Sequence, residues 1–160
     1  MAKPYSTTEE TKRKIQSIAP TNLAYMAGLI DGEGSITLMK CGKYYGSRLG
    51  VHMTDHAVVE WLADVTGVGR VRLSRREGKS DIYKWEIFSR QAYAVLSAIL
   101  PYLKSKKPQA ELIIERGRSA YRHGSIAIDE QLKRQLSALN QKKGRNSSRA
   151  NQCTRTDEGL

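Results

Sequence analysis

The sequence is short of cysteine, of acids and of long apolar runs, and each shortage closes a class of explanation. Its two cysteines, Cys41 and Cys153, stand far apart with no Cys-x-x-Cys pair. Neither a disulfide framework nor a zinc module is indicated, and a reducing compartment is expected. No apolar stretch approaches the roughly 18 residues that cross a bilayer. The start, MAKPYSTTEETKRK, lacks the apolar centre of a secretory signal. The expectation is therefore a soluble intracellular protein without a membrane partner, in an organelle or a bacterial cytoplasm. Acids number 16 against 27 Lys and Arg, a formal charge of +11. Such an excess makes a polyanion the expected partner, with a basic surface serving only solubility as the plainer alternative.

What is present fits one domain, since 160 residues can bury a real core unaided. Residues 8–18 predict a short polar helix closed by Pro20, with Thr21 or Asn22 as N-cap of a second helix, NLAYMAGLIDGEG. From Ser35 the period shortens to two. SITLMK and RLGVHMT, around a Gly-rich turn at 42–46, form a hairpin with Ile36, Leu38, Leu49, Val51 and Met53 on one face. Residues 55–66 predict a helix capped by Asp55 and ended by Gly67. A second hairpin follows, with Val71, Leu73, Tyr83, Trp85 and Ile87 inward around a turn at 77–79. Helices are expected at 89–100, 107–118 and 127–140. The domain plan is a polar N-terminal extension (1–20), a folded domain (21–140) and a basic tail (141–160). The tail is too poor in apolar residues to offset its ordering entropy, and is expected to be disordered.

Four strands in one antiparallel sheet leave a face free for solvent or a ligand. That face reads Thr37, Met39 and Cys41; then Arg48, Gly50 and His52; then Arg70, Arg72, Ser74 and Arg76; then Ile82, Lys84 and Glu86. Basic residues dominate it. A two-stranded ribbon fits the DNA major groove, where Arg bonds guanine and short polar groups reach other base edges. These residues are thus candidate contacts to double-stranded DNA, unless the arginines merely keep a strand edge solvated.

In the second helix Ala24, Gly28 and Gly32 recur at i, i+4 and i+8, a narrow face that lets another backbone come close. If the partner is the same helix of a second copy, two-fold symmetry brings Glu33 near Glu33 of the other chain. A hard divalent cation such as Mg²⁺ would relieve the repulsion and suit phosphodiester hydrolysis. On composition alone Asp-Gly-Glu-Gly is an ordinary helix-ending turn.

LAYMAGLIDGEG resembles the LAGLIDADG motif of homing endonucleases: Ala27-Gly28-Leu29-Ile30-Asp31 stand in order with Gly32 after them, Glu33 takes the second acidic place and Gly34 closes it. The motif occurs once. The resemblance, covering roughly residues 20–140, implies an α+β fold of order αββαββα with a four-stranded antiparallel DNA saddle and C-terminal helices. It implies a homodimer whose motif helices meet through Ala24, Gly28, Asp31 and Gly32. It implies metal held by Glu33 and the Gly32 carbonyl, with Asp31 more structural. A basic residue near the cleaved phosphate falls on Lys106, with Lys104 and Lys107 as rivals. A polar residue organising pocket water falls nearest Asp55, which is also an N-cap candidate. The implied activity is Mg²⁺-dependent cleavage of both strands of a long, nearly palindromic site, leaving short 3′ overhangs, in intron homing. Mn²⁺ is expected to substitute, and Ca²⁺ to support binding without cleavage. An intron maturase binding RNA, or a DNA-binding regulator that no longer cleaves, are the alternatives on the same fold.

Overall fold

The structure, a computed structural model, describes residues 9–42, 44–119 and 126–150. Helix α1 (Glu9–Gln16) leads into α2 (Pro20–Glu33), and two hairpins follow: β1 (Gly34–Cys41) with β2 (Tyr44–Met53), and β3 (Arg70–Ser74) with β4 (Ile82–Phe88). Helix α3 (His56–Thr66) separates them. Helix α4 (Ser89–Ile99), a 3-10 turn (Leu100–Tyr102), α5 (Lys107–Ser119) and α6 (Ile126–Ala150) follow among the described residues. All strand pairs are antiparallel, in the order β1-β2-β4-β3. This is the α+β arrangement with a four-stranded sheet that the alternation in the sequence predicts.

One face of the sheet is the floor of the core. Ile36, Leu38, Leu49, Val51, Trp85 and Ile87 are buried there with Met26, Ala27 and Ile30 of α2, Leu62 of α3, and Leu96 and Ile99 of α4. Trp85 has no exposure, and its indole N–H donates to the Val68 carbonyl at 2.9 Å, so the ring is buried without an orphaned donor. Arg116 of α5 ties α6 to the sheet. Its guanidinium forks onto Asp129 at 2.6 and 3.0 Å and also donates to the Tyr45 carbonyl at 2.7 Å. A half-buried bidentate pair of this kind fixes direction as well as distance.

Several expectations need correction. Helix α2 begins at Pro20, with Ala19 at the cap position and no side-chain cap, so neither Thr21 nor Asn22 takes that role. Proline at N1 lacks an N–H that would be orphaned anyway and has φ already set for a helix. Helix α1 belongs to the folded body, since Ile15 and Ile18 are buried in the core. The first hairpin is tighter than the predicted 42–46 turn, because β2 starts at Tyr44. Leu73, expected inside, is 45 % exposed. Its strand β3 is a five-residue edge, and the first residue of α3, His56, stacks on the neighbouring Tyr83 instead, with ring centroids 4.1 Å apart. Helix α6 runs on to Ala150 rather than stopping near Asn140. Gln, Lys, Arg and Ala in that stretch are good helix formers, and extending an existing helix needs no new nucleus. Residues 151–160 lie outside the described residues, Cys153 among them. Among the described residues, no helix is long and apolar enough to cross a membrane.

Candidate active site and nucleic-acid interface

Helix α2 has two unlike faces. Met26, Ala27 and Ile30 are buried, whereas Ala24, Tyr25, Gly28 and Gly32 lie open on the other side. Among the described residues a Cβ added at Gly28 or Gly32 would meet nothing within 4 Å, so they give no steric reason for glycine at either place. Gly34 is different. It passes directly from helix to strand, its N–H donating to the Ile30 carbonyl, and a Cβ there would stand 2.7 Å from the Ile30 backbone. Only glycine allows β1 to leave α2 so abruptly.

That abrupt exit holds Glu33 at the end of the helix, exposed and without a hydrogen bond or ion pair to any described residue. Asp31, two residues earlier, is fully engaged. Its carboxylate accepts from the backbone N–H groups of Lys104 (2.8 Å), Ser105 (3.1 Å) and Lys106 (2.7 Å), the segment leading into α5. Lys106 answers in reverse. Its ammonium is buried and donates to the carbonyls of Ile30 (2.7 Å) and Asp31 (2.8 Å). The C-terminal carbonyls of a helix lack partners and carry partial negative charge, so a cation there stabilises the helix end. Asp31 and Lys106 thus lock α2 to the α5 entry in both directions, immediately beside Glu33.

The outward face of the sheet follows from the register. Thr37 lies opposite Arg48, Gly50 opposite Glu86, His52 opposite Lys84, and Arg70 and Arg72 opposite Glu86 and Lys84 on the other flank. Arg48 Nη2 approaches Glu86 Oε1 at 2.6 Å, and His52 Nε2 approaches the same oxygen at 3.0 Å. Thr37 Oγ1 and Arg48 Nε are shielded from solvent without a hydrogen-bond partner among the described residues. Arg70, Arg72, Glu86 and Phe88 border a polar cleft at the β3 side.

No protein-family model matches the sequence. Solved structures do match. The homing endonuclease I-CvuI, in complex with the I-CreI target in the presence of Mg and with its DNA not cleaved, superposes with a TM-score of 0.62 at 21 % identity, over 74 % of this chain and 82 % of that one. The archaeal intron-encoded homing endonuclease I-Vdi141I, complexed with DNA, gives 0.59 at 16 % identity over 88 % and 87 %. The LAGLIDADG meganuclease I-AabMI, bound to uncleaved DNA, gives 0.54 at 19 % identity over 74 % of this chain but 43 % of its own. The chain has the LAGLIDADG homing endonuclease fold. The sequence motif sits on helix α2, which opens the αββαββα order.

On this LAGLIDADG fold the candidate residues separate into groups. Ala24, Gly28 and Gly32 form an open face of α2, and Glu33 projects at its end. Asp31, expected in the dimer contact, spends its carboxylate inside its own chain. Lys106, expected to face a phosphate, is buried and donates to the Ile30 and Asp31 carbonyls, which carry the partial negative charge of a helix end. Lys104 and Lys107 on the same loop are exposed. Asp55 is the N-cap of α3, accepting from Val58 N–H at 3.2 Å. Thr37, Met39, Cys41, Arg48, His52, Arg70, Arg72, Ser74, Lys84 and Glu86 all share the outward side of the sheet. Arg76 lies beyond β3, in the turn, where its guanidinium donates to the Ser80 carbonyl. Sequence reasoning missed Ser35 and Phe88, which share the outward side through their pairing with Gly50 and Arg48; extending the alternation by one step at each strand end would have found both.

The donors available to a cation at the end of α2 are oxygens alone, the Glu33 carboxylate and the Gly32 carbonyl, a set that suits a hard divalent ion. Among the described residues no group of three or more His, Cys, Asp or Glu side chains could hold a metal. The set therefore fits Mg²⁺ in kind and falls short in number within one chain.

Proposed function

We propose that this chain is a homodimeric, divalent-metal-dependent endonuclease that recognises a long, nearly palindromic DNA site and cuts both strands, leaving short 3′ overhangs, as in intron homing. The observation that carries the reading is the end of α2: an exposed, unengaged Glu33 follows directly on a face of Ala24, Gly28 and Gly32 that the protomer itself does not use. A second copy packed on that face supplies the missing donors, because a two-fold contact places identical helix ends together. The neighbouring folds support it, being homing endonucleases seen with DNA, one in the presence of Mg and one of Ca.

In this reading the sheet binds and orients the duplex. Its outward arginines and lysine face the grooves, and phosphate contacts position while base contacts specify. The Asp31–Lys106 lock holds the helix end so that the Glu33 carboxylate and Gly32 carbonyl stay aimed at the phosphodiester. Glu33 and Gly32 of each protomer would hold Mg²⁺, which when bound supplies Lewis-acid stabilisation of the leaving oxygen and lowers the pKa of water. Exposed Lys104 and Lys107 take over from the buried Lys106 as the basic groups free to approach a phosphate.

The test is selection of cleaved sites from a randomised duplex pool with Mg²⁺. Recovered sites with two-fold pseudo-symmetry and breaks on both strands are expected. Specific binding without breaks would make the chain a regulator, and preference for structured RNA over duplex DNA would make it a maturase.

A further inference from the structure

We propose that Arg48 and Glu86 act as one unit that reads a single G·C base pair in each half of the target, a role that rests on the endonuclease reading above. Glu86 is the single carboxylate among the described residues on the outward side of the sheet strands. A negative group at the centre of a surface facing a polyanion costs affinity unless it is used. Its seating is specific. The residue opposite on β2 is Gly50, and a Cβ there would lie 3.3 Å from Glu86 Cγ and 3.4 Å from His52 Nε2. The missing side chain lets Glu86 lie across β2 and reach both diagonal neighbours, Arg48 and His52.

Both contacts fall on Oε1, at 2.6 Å from Arg48 and 3.0 Å from His52. Oε2 remains an acceptor. Arg48 keeps Nη donors beyond its Glu86 contact, and among the described residues its Nη1 touches only the weak acceptor Met39 Sδ, at 3.6 Å. The side chains of Arg48 and Glu86 are 24 % and 21 % exposed, so they are held in place yet open to a ligand. Together they present the two Arg48 Nη donors beside a Glu86 acceptor on the outward side of the sheet. The major-groove edge of G·C offers the complement: guanine N7 and O6 accept, and cytosine N4 donates. Guanine O6 and cytosine N4 are neighbours within that pair, as Arg48 and Glu86 are here. A reversed C·G pair sets Glu86 against acceptors, and A·T sets an adenine amino group against the arginine fork. The order of the two side chains therefore fixes orientation as well as composition.

Sites selected from a randomised duplex pool with the full-length wild type, Glu86→Gln and Arg48→Lys decide the matter, with melting curves to confirm folding. The wild type is expected to require G·C at one position in each half-site. Both variants are expected to relax that same position, by about 5- to 150-fold, and to leave the remaining profile in place. A wild-type profile with no fixed G·C pair overturns the proposal even if a variant fails to fold. Relaxation at two different positions overturns it also. So does a Glu86→Gln variant that binds all sites more tightly with its profile unchanged, since Glu86 would then be only a brake on affinity. In each of these cases site-specific cleavage by the wild type leaves the endonuclease reading standing; a wild type that selects no duplex refutes that reading itself.

Discussion

At the scale of single residues, the end of α2 makes separable demands. Glu33→Gln keeps shape and removes charge, so in the proposed homodimer both symmetric metal half-sites would weaken at once. Cleavage is expected to vanish while gel-shift binding to the selected site persists; cleavage near the wild-type rate would remove Glu33 from the metal site. Gly34→Ala forces a Cβ to within 2.7 Å of the Ile30 backbone, and overpacking of that kind costs about 1–3 kcal/mol, readable as a lower urea midpoint. Lys106→Met strands the Ile30 and Asp31 carbonyls. Losing such a buried partner costs about 1–3 kcal/mol per orphaned group. The variant is therefore expected to unfold earlier, and its unfolding curve separates this locking role from a phosphate-facing one, which would leave stability unchanged.

At the scale of elements, the proposed function gives α2 and the sheet different partners. Gly28 sits on an open helical face, so Gly28→Ala meets no clash within the protomer and raises helix propensity by about 1 kcal/mol. Gly28→Leu fills the space a second backbone would occupy. Sedimentation is expected to show the leucine variant as a folded monomer; a stable dimer would place the interface elsewhere. On the sheet, Arg72 pairs with Lys84 in mid-strand and is assigned to base readout, whereas Arg76 lies in the turn and is assigned to phosphate. Arg72→Ala is expected to relax one base pair per half-site at a cost of about 1–3 kcal/mol. A profile that keeps its shape with lower affinity would move Arg72 to the phosphates.

At the scale of the whole molecule, the formal charge of +11 and the proposed two-fold assembly would act together in salt dependence. Each phosphate contact contributes about −0.9 to the slope of log K against log salt on duplex DNA. A homodimer loses contacts in pairs. If Arg70 binds phosphate, Arg70→Ala should flatten the slope by about 1.8, and a change of half that size would mean that only one protomer makes the contact. Helix α6, tied to β2 through Arg116 of α5 and its own Asp129, braces the buried face of the sheet.

The sequence by itself determined what depends on period and on local chemistry. Alternation placed the strands and their outward set, the Asp55 and Gly67 caps bounded α3, and the motif located Glu33 at a helix end. These are legible because a side chain's direction in a helix or strand follows from its position in the repeat. Tertiary structure decided whatever depends on which groups meet. Lys106 reads as a surface lysine until α5 is docked on α2, when the nearest compensation for its charge becomes the Ile30 and Asp31 carbonyls, 75 or more residues away in sequence. Leu73 reads as core until β3 proves to be an uncovered edge. Gly50 reads as an unremarkable strand glycine until Glu86 crosses it. Contacts between distant segments are set by packing and charge compensation, which no window of sequence contains.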